Sequence, residues 1–150
     1  MTKRESINDF LNAKKFAMVG VSTNKNKFGY VIFKELREKG FEICPIHRTA
    51  NEIDGVKCYK TVDEIPSDFQ KLYLLTQKTQ TDEVLKQAAK KGFNHIWVQQ
   101  MSHTAETEKI AKENNVNLIH KSCIFMFAEP VKSVHKFHRN IMSFFGQLPK

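Results

Sequence analysis

The chain is short of the features that mark several protein classes. Its longest apolar runs, such as Phe16–Val21 and Leu72–Leu75, are far too short to cross a bilayer as a helix. The opening "MTKRESINDF" has no apolar centre and does not read as a secretion signal, so a cytoplasmic location is expected. Cys44, Cys58 and Cys123 are the only cysteines. They lie far apart and form no CxxC, so neither a disulfide framework nor a cysteine-rich zinc site is indicated, and they read as reduced thiols. No P-loop, HExxH or Ser/His/Asp order is present, and no repeat or linker marks a domain boundary.

What is present suits one globular domain spanning 1–150, since 150 residues at 41% hydrophobic and 27% charged can bury a core. The formal charge of +8 attracts polyanions and leaves nucleic acid, anionic membrane and phosphorylated metabolites open. Most basic residues are interspersed with acids, as in "KELREKG" and "KIAKENN", which is the pattern of a solvated helix face. Only the stretch from His120 onward is lopsided, with five Lys/Arg against Glu129.

Hydrophobic periodicity orders the elements. Thr2 and Glu5 have capping-box spacing ahead of Ile7, Phe10 and Leu11, predicting a short leading helix. Phe16–Val21 reads as a strand covered on both faces, and Tyr30, Phe33 and Leu36 follow at helical spacing until Gly40. The alternation recurs through strands "FEICPI", "KLYLLT", "HIWVQ" and "VNLIH", with helices near 81–91 and 104–114. This predicts an α/β, Rossmann-like, doubly wound parallel sheet of five strands in the order 3-2-1-4-5. An additional C-terminal helix is expected after Pro130, with Val134, Phe137, Ile141, Phe144 and Phe145 on one side. In that order the direction reverses between the first and fourth strands, so a ligand site would be built from the loops after Val21, Ile46, Leu75 and Val98.

The turn after the first strand begins like a dinucleotide fingerprint and then departs from it. Gly20 is followed by Ser22, Asn24, Lys25, Asn26 and Lys27, and the next glycine is Gly29. The chemistry left is anion binding: backbone N–H groups at a helix start, the helix dipole, the Ser22 hydroxyl and two ammonium groups. The bland alternative is that Ser22 caps the helix and the lysines are solvated. At the end of the second strand, an NAD site needs an acid for the ribose hydroxyls, whereas this chain has Pro45, Ile46, His47 and Arg48. A base there favours a ligand with an extra ribose phosphate, as NADP and coenzyme A carry, over plain NAD.

With "VGVSTNKNKFGY", "GFEICPIHR", "GVKCYKTVDEIP", "GFNHIWVQ" and "HKSCI" in order between about Lys15 and Ile124, the chain resembles the small CoA-binding proteins. Their fold is similar to the nucleotide-binding domain of the succinyl-CoA synthetase alpha subunit. The resemblance implies that Gly20, Val21, Ser22, Asn24 and Lys27 hold the CoA pyrophosphate, with Phe28 and Gly29 completing the turn. It implies that Pro45 and Ile46 flank the adenine and that Arg48 or a neighbour meets the ribose phosphate. Thr76, Gln77 and Lys78 would border the nucleotide or its pantetheine arm, and Gln99 would stand beside the fourth strand. The sequence departs from the family where His47-Arg48 replaces Asn-Pro, where a base after the third strand is displaced to Lys78, and where Met101 replaces a glycine.

Catalysis is not indicated. His135 and His138 share a helix face without a third ligand and read as basic surface rather than a metal site, so no metal is expected. His47 and His103 are loop residues, and His95 and His120 border strands at edge positions. Cys123 lies on the ligand-bearing rim, either as a nucleophile or as a small buried hydrophobe. The expected function is binding of coenzyme A or an acyl-CoA without intrinsic chemistry; the alternative is an NADP-dependent oxidoreductase. A third class, nucleic-acid binding through the basic tail, meets the helical spacing of Phe137, Phe144 and Phe145, which suits core or homodimer-facing positions better than base stacking.

Overall fold

The structure, a computed structural model, describes residues 2–128. The readings placed on the tail, including the C-terminal helix, its dimer face and the pair His135 and His138, lie outside the described residues. Helix α1 (Lys3–Asn12) starts with the anticipated capping box between Thr2 and Glu5. Strand β1 (Lys15–Val19) leads into α2 (Phe28–Glu38), β2 (Glu42–Ile46), β3 (Lys71–Leu74), α3 (Lys78–Lys91), β4 (His95–Gln99), α4 (Thr107–Glu113) and β5 (Asn117–Ser122). A small antiparallel hairpin, Glu52–Ile53 with Val56–Lys57, and a 3-10 turn, Val62–Glu64, lie between β2 and β3.

All five strands of the main sheet are parallel, in the order 2-1-3-4-5. The expected order 3-2-1-4-5 is thus corrected: β3 pairs with β1 (Ala17 beside Leu72, Val19 beside Leu74) instead of lying beyond β2. The physical reason is that the outer edge of β2 is already taken. The chain returns along it, with Tyr59 donating its N–H to Pro45 O at 2.9 Å and His47 donating to Tyr59 O at 2.8 Å. Residues of a parallel strand aim N–H and C=O to the same side, so Pro45, which has no N–H, turns its missing donor toward this edge.

Side chains alternate between two apolar layers, as the period of two requires. Phe16, Met18, Tyr73, Trp97 and Ile119 face α1, α2 and the segment 123–128. Ala17, Leu72, Leu74, Ile96 and Val98 face α3, α4 and the 3-10 turn. Covering both faces is what makes the strands read as continuous apolar runs. At the opposite end of the sheet from the ligand-bearing loops, His95 opens the interior strand β4 and is buried, not at an edge. Its Nδ1 lies 3.0 Å from Lys71 Nζ and 3.2 Å from Asp9 Oδ2 of α1. Among the described residues no helix is long and apolar enough to cross a membrane.

Candidate functional site

Because β3 lies beside β1, the sheet reverses direction between these two strands, and the crevice opens there. Gly20 leaves β1 at φ +104°, a conformation that a β-carbon disfavours. A side chain on Gly20 would overlap the Leu75 carbonyl oxygen, and one on Gly29 would overlap the Gly20 carbonyl oxygen. The two glycines therefore let the exits of β1 and β3 and the first turn of α2 stack backbone on backbone.

Between the glycines the turn is self-supporting. Ser22 Oγ accepts the Asn24 N–H at 3.1 Å, Asn24 Oδ1 accepts the Asn26 N–H at 3.0 Å, and Asn24 O accepts the Lys27 N–H at 3.0 Å. Ser22 thus shapes the turn and does not cap the helix, and its hydroxyl hydrogen is left to donate. The N-cap of α2 is Lys27, without a side-chain capping bond and without an acid in the first turn. Helix α3 begins in the same way at Gln77. Both helices consequently present N–H groups and the positive end of a dipole to this rim, a natural seat for an anion.

A cleft of about 850 Å³ lies between the exits of β1 and β3, the start of α3 and the loop after β2, within the range of cofactor sites, and the first turn of α2 adjoins it through the contact of Gly29 with Gly20. Its apolar floor includes Val19, Val21, Ile46, Val62 and Val84; Arg48 and Lys60 supply cations on one wall, and Glu83 stands on α3. Of the residues singled out from sequence, Gly20, Val21, Ile46, His47, Arg48, Thr76 and Gln77 line the cleft. Ser22, Asn24, Lys27, Phe28 and Gly29 form the adjoining turn and helix start. Pro45 is buried in β2, and Lys78 is the exposed first residue of α3.

Gln99 is not brought to the cleft. It sits on the face of β4 that looks toward α1 and α2, fully buried, where its Oε1 accepts from Tyr73 OH at 2.7 Å and from the Ile124 N–H at 3.2 Å. The loop after β4 contributes no lining residue either, contrary to the expectation built on a reversal beside that strand. In its place the cleft uses Lys60 to Val62 and one face of α3 at Gln80, Glu83, Val84 and Gln87. That face has helical spacing and was findable in sequence once the reversal is placed between β1 and β3.

The nucleophiles are quiet. Burial pushes the Cys44 thiol up to about 12 and raises those of Cys58 and Cys123 as well. His103 and His120 pack edge to face at 5.6 Å near β5, with burial lowering both pKa values. Among the described residues no cluster of three His, Cys, Asp or Glu side chains could hold a metal ion.

The sequence is similar to the alpha subunit of ADP-forming acetate–CoA ligase II from Pyrococcus furiosus, at 27% identity over 144 residues, covering 94% of this chain. The chain spans about a third, 32%, of that relative's length. The structure is similar to a conserved hypothetical protein from Pyrococcus furiosus, with a TM-score of 0.71 and 34% identity, covering 73% of this chain and 95% of that one. It also matches a hypothetical protein from Pyrococcus horikoshii, with a TM-score of 0.73 and 29% identity over 83% of this chain and 87% of the other. The CoA binding domain family matches residues 14–129, a span that holds β1 to β5 and the whole cleft and leaves α1 outside, and the chain belongs to that family.

Proposed function

We propose that the chain binds coenzyme A, free or acylated, in the cleft at the exits of β1 and β3. The pyrophosphate lies on the turn from Gly20 to Lys27, against the N–H groups that open α2. Ile46, backed by Pro45, flanks the adenine, and the Arg48 guanidinium takes the ribose phosphate. Thr76 and Lys78, at the start of α3, border the remainder of the ligand. The observation that carries this reading is that one cleft is lined by Arg48 and by Gly20, on whose carbonyl the first turn of α2, a helix without side-chain caps, packs, in a chain of this family. The helix end and turn match a pyrophosphate, and the base at the end of β2 matches a phosphate on the ribose where an NAD site would have an acid.

The role we infer is binding rather than chemistry by this chain. The buried thiols, held protonated, support it, because the thiolate is the reactive form. The ligase activity of the longer relative is not carried over to a chain that matches a third of it. The rival, an NADP-dependent oxidoreductase, gains no support from the family. Thermal unfolding with each ligand separates the two: at a hundred times its Kd, coenzyme A stabilises the chain by about 2.7 kcal/mol. Stabilisation by NADP with none by coenzyme A would reverse the assignment.

A further inference from the structure

The loop after β2 is held from both sides by two side chains. His47 Nδ1 accepts the backbone N–H groups of Thr49 at 3.2 Å and Ala50 at 2.9 Å. Lys60 Nζ donates to the carbonyl oxygens of the same two residues, at 2.8 Å each, and to Asn51 Oδ1 at 3.1 Å. The donors and the acceptors of two consecutive residues are thereby engaged. Lys60 is itself fixed by the helical turn behind it, where its N–H donates to Glu64 Oε2 at 3.2 Å.

An ammonium has three hydrogens, and here all three are used within the loop. Lys60 lines the cleft yet has no donor left for a ligand. Arg48 is the residue inside the clamp, between His47 and Thr49, and it lines the cleft with an exposed side chain. Among the described residues it enters no ion pair, so its planar fork is available for bidentate contact with a phosphate.

We propose that Lys60 is a positioning residue that makes the cleft select a ligand with a phosphorylated ribose, by holding the 47–51 loop so that Arg48 meets that phosphate already in place. The proposal rests on the coenzyme A reading of the cleft and deepens it. The physical basis is preorganisation: an arginine on a fixed loop loses less conformational entropy on binding than one whose backbone must also be ordered. A lysine that only stabilised the fold would affect a ligand with the phosphate and one without it equally. Acting through Arg48, it affects the phosphorylated ligand alone.

The test is calorimetric titration of the full chain with coenzyme A and with dephospho-CoA at fixed ionic strength. The unsubstituted chain favours coenzyme A by tenfold or more. Arg48→Met and Lys60→Met each reduce that ratio at least fivefold, and the double variant reduces it little further, because the two residues act as one device. An equal loss for both ligands in Lys60→Met, or additive losses in the double variant, overturns the proposal. Should Lys60→Met melt below the assay temperature, Asn51→Ala loosens the same clamp at an exposed residue and lowers the ratio by about twofold; an unchanged ratio there also overturns it. Equal affinity of the unsubstituted chain for both ligands removes this inference alone. Binding of neither removes the reading of the cleft with it.

Discussion

Gly29, the second residue of α2, packs directly on the carbonyl of Gly20, so the helix starts in backbone contact with the exit of β1. Replacing Gly29 by alanine forces these two segments apart, since neither partner is a flexible side chain. The expected cost is about 1–3 kcal/mol of stability, read by urea unfolding, with a tenfold or greater loss of coenzyme A affinity as the turn shifts. Gly40→Ala is the control. Gly40 has a positive φ, so the substitution strains the backbone, but nothing lies within 4 Å of the added carbon, and the ligand affinity should hold.

Gln99 carries a different expectation. Its Oε1 serves two buried donors, Tyr73 OH and the Ile124 N–H, on the face of the sheet away from the cleft. Gln99→Leu strands both of them in an apolar layer and should destabilise the fold by about 1–3 kcal/mol. Coenzyme A affinity of the folded variant stays within about twofold of the parent, a bound that matches the small effects expected of sites sharing no partner. Loss of affinity with stability intact would return Gln99 to the site.

Strand identities were legible because two-sided burial writes each strand as an apolar run, and the Thr2 and Glu5 spacing was legible because a cap is local. The order of the strands was not, since apolar runs do not say which backbone pairs with which. One residue held the missing information. Pro45 cannot donate within a ladder, which argues that β2 lies at an edge, and an edge position for β2 is incompatible with 3-2-1-4-5. The loop after β4 follows the strand order: with the reversal between β1 and β3, the cleft takes Lys60 and the exposed face of α3 in place of that loop, whereas Gln99 is implied by the family resemblance and not by the order. Gly20 and Gly29 were visible as glycines, but that one packs on the other is a fact of three dimensions.

Acid should weaken the fold. Burial of His95, then the nearby Lys71 charge, lower its pKa from the ordinary 6.5, and Asp9 offsets this only in part. His103 and His120 are lowered by burial too. The unfolded chain therefore binds protons that the native chain refuses. Stability is fully present above the unfolded value of 6.5 and declines as pH falls from there through the lower native values. The slope is bounded at about 1.4 kcal/mol per pH unit for each proton. Urea unfolding at pH values from about 8 down to 5 should show this decline, and His95→Gln should flatten part of it. A decline that is identical in His95→Gln would remove His95 as a cause.

Lys27 sets stability and binding against each other. It occupies the N-cap of α2 in extended geometry, φ −86° and ψ 146°, without a side-chain bond to the helix. An aspartate there has the short acceptor that this position favours and a charge that suits the dipole, so Lys27→Asp should stabilise the fold by about 0.5–2 kcal/mol. The same carboxylate would occupy the N–H groups offered to the pyrophosphate and repel it, so coenzyme A affinity should fall by tenfold or more. Lys27→Ser separates the two effects, since it caps without the negative charge and should lose less affinity. Unfolding midpoints and calorimetric titrations of the same preparations check both signs. A gain in stability with unchanged affinity would mean that the N-terminus of α2 is not where the phosphates rest.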